Sequence, residues 1–536
     1  MNVDKDLQSM QEARDLAKTA KEAQAEFKHF NQAQVDKVVK AMADAGYAEA
    51  ERLAKMAHEE TGMGVWQDKV KKNQFATKDV YESIKDLKTV GIIDVSHNGK
   101  IVKIAEPMGV IAALIPTTNP TSTAMYKAII ALKARNGIVA SPHPRAIRST
   151  MEALKVVNDA AVSAGAPEGL IQCMTQPTLP GTNALMSDEN ISMILATGSN
   201  AMVKAAYSAG TPALGVGSGN VPAFIERTAD VEKAVKDIIA GTTFDNGTLC
   251  SSEQAMIVDA PVREQVIQIA KDNGAYFLND EEKKKLAAAI EKNGRINADI
   301  VGQSAQFIAN YAGFEVPNGT KVLIAFCDEV GPQEPLSREK LSPVLAFYTV
   351  SGWLEGCHRS IEILRHGGLG HTMVIHSNDK DIIMKFALEK PAFRIVVNTL
   401  SSLGAVGSTT GLLPSLTLGV GTWAGSSISE NVSAKHLMNI KTLAFESNPI
   451  NQGHAISSYD ERLGYNPPNV GGSFTNSIED KLLARAGNPS VNPFFSPSKV
   501  EPFNKTSENK EAKLGSGISE TEVQRIIREF KNQHGA

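Results

Sequence analysis

Val110-Ile-Ala-Ala-Leu-Ile115, a helix-patterned stretch over residues 122–133, and Gly137-Ile-Val-Ala140 decide the fold class of this chain. Two short apolar runs flank one helix, which is the signature of a parallel α/β unit: parallel strands need a crossover long enough to hold a helix. The pattern continues with a helix over 149–164, a strand over 191–196, a helix over 200–209 and a strand at Ala223-Phe-Ile225. After residue 250 a second alternation begins, with a strand at 254–258, helices at 262–273 and 280–291, and strands at 344–350 and 372–376. Arg394-Ile-Val-Val-Asn398 adds a late strand, and two successive alternations predict two α/β domains. Upstream, residues 5–90 are rich in Ala, Lys, Glu and Gln at helical spacing, as in Val35-Asp-Lys-Val-Val-Lys-Ala-Met42, and predict several amphipathic helices.

A length of 536 residues calls for two or three domains. The net charge of -4 supplies no basic field to gather phosphate backbones, so nucleic-acid binding is disfavoured and small-molecule chemistry is favoured. The four cysteines, Cys173, Cys250, Cys327 and Cys357, have no CxxC spacing and no accompanying histidine set, which argues against a disulfide framework and against a metal site. The charged N-terminus lacks an apolar h-region and no run reaches membrane-spanning length, so the expectation is a cytoplasmic, reduced protein without a membrane partner.

One cysteine stands apart. Cys250 lies in Gly241-Thr-Thr-Phe-Asp-Asn-Gly-Thr-Leu-Cys-Ser-Ser-Glu-Gln254, a lone thiol among small and turn-forming residues. That setting suits a nucleophile able to add to a carbonyl, although an isolated cysteine is more often a buried packing residue. Asn119-Pro120, Ala196-Thr-Gly-Ser-Asn200 and Glu339 have similarly plain alternatives: a turn, a helix N-cap at Ser199 and a loop carboxylate.

Taken in order, Ile115-Pro-Thr-Thr-Asn-Pro120, Asn136-Gly-Ile-Val-Ala-Ser-Pro-His-Pro-Arg145, Ala196-Thr-Gly-Ser-Asn200, the Cys250 segment, Glu339-Lys-Leu-Ser-Pro-Val344, Gly368-Leu-Gly-His-Thr372 and Pro414-Ser-Leu-Thr-Leu-Gly419 form a joint pattern. It resembles the CoA-acylating aldehyde dehydrogenases and the dehydrogenase half of bifunctional aldehyde-alcohol dehydrogenases, over about residues 5–445. The resemblance implies an aldehyde dehydrogenase-like α/β fold, with a Rossmann-type cofactor domain and an α/β catalytic domain. The expected limits are 1–240 for the N-terminal helices and nucleotide domain, 241–425 for the catalytic domain, and 426–446 for a return segment to the cofactor and oligomerisation region. No iron-dependent alcohol dehydrogenase domain is expected after residue 445.

The same resemblance implies roles. Cys250 becomes the covalent nucleophile and Asn119 the oxyanion donor. Gly198 and Ser199, Pro142 and His143, and Glu339 become cofactor-binding residues, the last at the nicotinamide ribose. NAD is the expected cofactor; NADP stays open because the lysine of hydrolytic relatives is absent from Ala140-Ser-Pro-His-Pro-Arg145, and Arg145 is either a phosphate ligand or a surface residue. Val203 stands where the superfamily has a second glycine, and His371 is given no step. Hydrolytic relatives activate water with a glutamate whose place in Leu214-Gly-Val-Gly-Ser-Gly-Asn220 is taken by Gly215, so coenzyme A is the expected acyl acceptor. A short aliphatic aldehyde, acetaldehyde or propionaldehyde, and a homo-oligomer, dimer or tetramer, complete the expectation; a hydrolytic aldehyde dehydrogenase and a catalytically silent scaffold or assembly component are the alternatives.

Residues 447–516 are predicted to be a flexible linker and 517–536 an amphipathic helix, with Ser519 and Glu522 as a capping box. Its face of Ile518, Val523, Ile526, Ile527 and Phe530 resembles the encapsulation peptides of bacterial microcompartment enzymes, which implies a shell or cargo partner and a location in the microcompartment lumen; docking on the enzyme itself is the alternative.

Overall fold

The computed structural model describes residues 4–292, 294–451, 453 and 458–460. The predicted linker lies largely, and the predicted C-terminal helix wholly, outside the described residues.

The opening strand, helix and strand fold as expected. Val110–Ile115 and Gly137–Pro142 are parallel neighbours, with Ile111 opposite Ile138 and Ala113 opposite Ala140. The crossover helix Pro120–Lys133 is buried on every side, which is why its sequence shows no polar stripe. Its fully buried Lys127 donates to the carbonyls of Leu114 and Leu195, 2.8 Å each, and so ties the helix to two adjacent strands. These strands belong to a five-stranded sheet, spatially ordered Ile171–Cys173, Gly137–Pro142, Val110–Ile115, Ile191–Thr197, Ala213–Val216, and parallel throughout. Strand order reverses at Val110–Ile115, and crevices at such switch points, beyond the carboxyl ends of the strands, are where open α/β sheets bind ligands.

The second sheet has seven parallel strands, ordered Ala275–Phe277, Val322–Phe326, Val344–Val350, Glu253–Asp259, Val221–Ile225, Gly370–His376, Ala392–Val397. Its strands begin before the expected limit at residue 240. Val221–Ile225 pairs with Glu253–Asp259, Ala223 lying opposite Met256, so the chain leaves the first sheet after Ala213–Val216. Residue 240 falls inside the helix Val231–Thr243, whose apolar stripe of Val231, Ala234, Val235 and Ile238 belongs to the core of the second sheet. The run Val322–Phe326, unassigned in the sequence, is a buried interior strand.

The N-terminal region forms the helices Lys5–Phe27, Gln32–Ala48, Ala50–Thr61 and Trp66–Gln74. After them Gly91–Ser96 and Ile101–Pro107 make an antiparallel hairpin, and the return segment adds Met438–Ala444 against Ile101–Pro107. Among the described residues no helix is long and apolar enough to cross a membrane.

Candidate active site

One cavity of about 690 Å³ collects the residues singled out from the sequence: Asn119, Pro142, His143, Gly198, Ser199, Cys250 and Glu339 all line it. Four stretches reach it at the carboxyl ends of the first sheet's strands, around Ile115–Asn119, Ser141–Arg145, Thr197–Ser199 and Val216–Ser218, and the Cys250 loop enters from the second sheet.

Cys250 precedes the strand Glu253–Asp259 and is only partly buried, facing the cavity. Its loop is pinned at both flanks: Ser251 Oγ donates to the Ser402 carbonyl at 3.1 Å, and the fully buried Glu253 accepts the Ser401 N–H. Burial pushes the thiol up to about 12, and the Glu339 carboxylate adds to the rise. The positive charges of Arg394 and Lys72 and the residue's own backbone N–H oppose it. Arg394, itself buried, donates to neutral acceptors: Thr372 Oγ1, the Ser429 and Gly419 carbonyls, and Asn431 Oδ1.

Asn119 sits at the N-cap of the helix Pro120–Lys133. Its Nδ2 donates to the Thr248 carbonyl and to Thr118 Oγ1, both at 3.1 Å, while its Oδ1 accepts from Lys72 Nζ at 2.5 Å. The last contact fixes the sense of the amide, since an ammonium offers only donors and must face the oxygen.

Sequence reasoning missed the group that makes this contact. Lys69 and Lys72 lie on the helix Trp66–Gln74 and converge on Asp245, five residues before the nucleophile; all three side chains are buried. In sequence, Trp66-Gln-Asp-Lys-Val-Lys-Lys-Asn-Gln74 has the polarity of a solvated face. The one signal available was an acidic residue among the small residues of the Cys250 segment. Asp245 and Asn246 both adopt left-handed backbone, φ 49° and 51°, a conformation that non-glycine residues hold only when their surroundings enforce it.

Gly215 does not line the cavity. It is an interior residue of the strand Ala213–Val216, and a Cβ there would stand 2.7 Å from Val203 Cγ1 and 2.8 Å from Tyr207 Cε2. Its N–H donates to the Tyr207 hydroxyl at 2.9 Å. Val203 and Gly215 are therefore complementary: the isopropyl group fills the space beside a residue that has no side chain.

Gly198 has open space around it, the nearest atoms to an added Cβ being 3.9 Å away on Met202. Ser199 is an N-cap in fact, its hydroxyl accepting the Met202 N–H at 3.4 Å, and the helix Asn200–Ser208 begins behind it. Glu339 is buried and accepts the Gly219 N–H at 2.9 Å; burial raises its carboxyl to about 7, against the pull of that N–H and of Ser218, Lys340 and Arg338. His143 and Arg145 are exposed at the cavity rim. His371 is fully buried, with Nδ1 3.0 Å from Thr372 Oγ1, and burial with the nearby Arg394 holds its ring neutral. It flanks Gly219, where a Cβ would lie 3.1 Å from the His371 ring and 2.1 Å from the Cys250 carbonyl oxygen, so only glycine fits between them.

With the site defined, its relatives are informative. The model of the Aldehyde dehydrogenase family matches residues 5–415. The bifunctional aldehyde-alcohol dehydrogenase of Escherichia coli is 45% identical over 434 residues, covering 80% of this chain and 49% of that protein. The chain thus spans about half the length of such curated relatives. An acetylating aldehyde dehydrogenase from Geobacillus thermoglucosidasius is 50% identical, with a TM-score of 0.83 over 84% of this chain and 100% of that one. A Rhodopseudomonas palustris propionaldehyde dehydrogenase, solved with bound propionyl-CoA, is 30% identical with a TM-score of 0.74 over 81% and 94% of the two chains. A family match across most of its length and a shared fold at half-identical sequence establish that this chain belongs to the aldehyde dehydrogenase family.

Proposed function

We propose that this chain is a CoA-acylating aldehyde dehydrogenase, oxidising acetaldehyde or propionaldehyde with NAD and coenzyme A to the acyl-CoA and NADH, reversibly. The observation that carries this reading is the combination of Cys250 and Asn119 in one cavity with Gly215 walled off from it by Val203 and Tyr207. Cys250 serves as nucleophile and Asn119 as oxyanion donor, whereas position 215, where the resemblance places the water-activating glutamate of hydrolytic relatives, has no carboxylate and no room for one. The cavity's own carboxylate, Glu339, is engaged by the Gly219 N–H.

The residues present suit a dinucleotide. Gly198 leaves the turn before the helix Asn200–Ser208 open to the cavity, and the buried hydroxyl of Thr117, a cavity residue, has no partner among the described residues. Gly198 and Ser199 would face the phosphates, Pro142 and His143 the adenosine end, and Glu339 the nicotinamide ribose. When bound, NAD supplies the acceptor for hydride.

Cys250 gives up its proton to solvent water and its thiolate adds to the aldehyde carbon, opening the C=O bond to an oxyanion. That oxyanion is a stronger acceptor than a hydroxyl, so it takes the Asn119 N–H now given to Thr118, and the Thr248 carbonyl keeps the other N–H in place. Loss of hydride from the former aldehyde carbon leaves an acyl thioester on Cys250. The thiolate of coenzyme A then attacks the thioester carbonyl and Cys250 departs as the leaving thiolate, ready for another turn.

The substrate's charge follows from the walls. Met63, Ile296, Val301, Leu341 and Val406 are apolar, and besides Cys250 the ionisable side chains at the cavity are Arg145 and His143 at its rim and Glu339 inside. An anionic aldehyde would meet the Glu339 carboxylate, so neutral aldehydes are favoured. NADH formation from acetaldehyde that depends on both CoA and Cys250 supports the reading; CoA-independent turnover in the Cys250→Ala variant would refute it.

The wider assignment includes a homo-oligomer, supported by the edge strand Met438–Ala444, which exposes Ile440 and Leu443. It also includes targeting to a microcompartment lumen through Ile518, Val523, Ile526, Ile527 and Phe530, supported by their shared face in a helical pattern. Deleting 517–536 is expected to leave kinetics intact and abolish co-purification with shell particles; retention of that association would remove the targeting role.

A further inference from the structure

Lys72 lies one contact behind the proposed chemistry. Its Nζ meets three oxygens: Asp245 Oδ2, Thr248 Oγ1 at 2.9 Å and Asn119 Oδ1 at 2.5 Å. An ammonium has three N–H groups, so the charged form is fully satisfied and a neutral amine would leave one acceptor unmet. The residue is 4% exposed, and its carboxylate partner is shared with Lys69, whose Nζ also donates to the Thr118 carbonyl beside Asn119. Asp245 completes the cluster by accepting the Val65 N–H at 2.6 Å and the Thr248 hydroxyl at 2.7 Å. The cluster therefore joins the helix Trp66–Gln74, the left-handed turn before Cys250 and the residue that presents the oxyanion donor.

We propose that Lys72 is a positioning residue of the reaction: by holding Asn119 through its carbonyl oxygen it keeps the amide NH2 aimed at the developing oxyanion and strengthens it as a donor. This rests on the acylating reading above. The physical basis is twofold. An unrestrained asparagine can present either end of its amide, and only the NH2 end stabilises negative charge. A cation on the amide oxygen also draws electron density from nitrogen, and it does so in a dry site where such polarisation is strong. Burial lowers the Lys72 ammonium to about 8, with Asp245 opposing the fall, so the charge is present at neutral pH.

A purely structural lysine and a positioning lysine differ in what their loss changes. With acetaldehyde, NAD and CoA, Lys72→Met is expected to lower kcat about tenfold or more while the aldehyde KM stays within about twofold. Lys72→Gln, which retains an N–H for Asn119 Oδ1 without the charge, should fall between wild type and Lys72→Met, and it serves as the test variant if Lys72→Met does not fold. The deciding measurement is a double-mutant cycle: once Asn119→Ala is in place, the Lys72 substitution should cost clearly less than in the wild type, leaving only its charge effect on the Cys250 thiol. Full multiplication of the two losses, or a change confined to KM, overturns the positioning role even though wild-type activity stands. Absence of aldehyde-dependent NADH in the wild-type enzyme overturns the functional reading and this role together.

Discussion

Cys250 is surrounded by opposing charges, and its reactivity should report them. Burial and the Glu339 carboxylate disfavour the thiolate, while Arg394 and Lys72 favour it. In the unliganded protein the rate of Cys250 alkylation by iodoacetamide should therefore climb about tenfold per pH unit from 7 to 9 without a plateau. Glu339 ionises near 7, so its influence has a definite pH signature. Below that range its carboxyl is neutral and Glu339→Gln should alkylate like wild type; above it, where wild type carries the negative charge, the variant should react faster. Equal rates at a pH about 1.5 units above that ionisation would show that Glu339 does not act on the thiol. Asn119→Ala, which removes the side-chain oxyanion donor, should reduce kcat by roughly 10²- to 10³-fold in the steady-state assay.

At the scale of elements, the strand Ala213–Val216 and the helix Asn200–Ser208 share one packing solution through Gly215 and Val203. Placing a glutamate at position 215 by Gly215→Glu should not create a hydrolase. The side chain would collide with Val203 and Tyr207, destabilising the protein by about 1–3 kcal/mol. Adding Val203→Gly should recover part of the lost Tm, a non-additivity measurable by thermal denaturation. Both substitutions were visible in the sequence as departures from a pattern, but their complementarity was not, because it depends on a strand and a helix brought side by side. The same limit explains Lys72, which lies 173 residues from Asp245 and looks like surface in its own helix. Strands buried on both faces were legible from their apolar runs, as at Val110–Ile115, whereas Met438–Ala444 escaped because an exposed edge strand has no such run. That edge has its own test: Ile440→Lys with Leu443→Lys should lower the mass measured by light scattering if the strand mediates assembly.

Over the whole molecule, two parallel sheets deliver the parts of one site. The nucleotide sheet contributes Asn119, Gly198 and Ser199 from the carboxyl ends of its strands, and the second sheet contributes the loop that carries Cys250. The alternation of apolar runs foretold parallel α/β units, and the residues that the segment motifs singled out line one cavity. Which sheet Val221–Ile225 joins was not legible, because it has the same apolar texture as the strands before it, and sheet membership is a matter of pairing that texture does not encode. The central claim is that the acyl group on Cys250 is passed to a thiol and not to water. It is tested by acylating the enzyme with acetaldehyde and NAD, then following the intact mass of the protein with and without CoA. The account predicts an acetyl adduct on Cys250 that persists without CoA and is discharged promptly as acetyl-CoA when CoA is added. Rapid loss of the adduct as free acetate, at a rate indifferent to CoA, would contradict it.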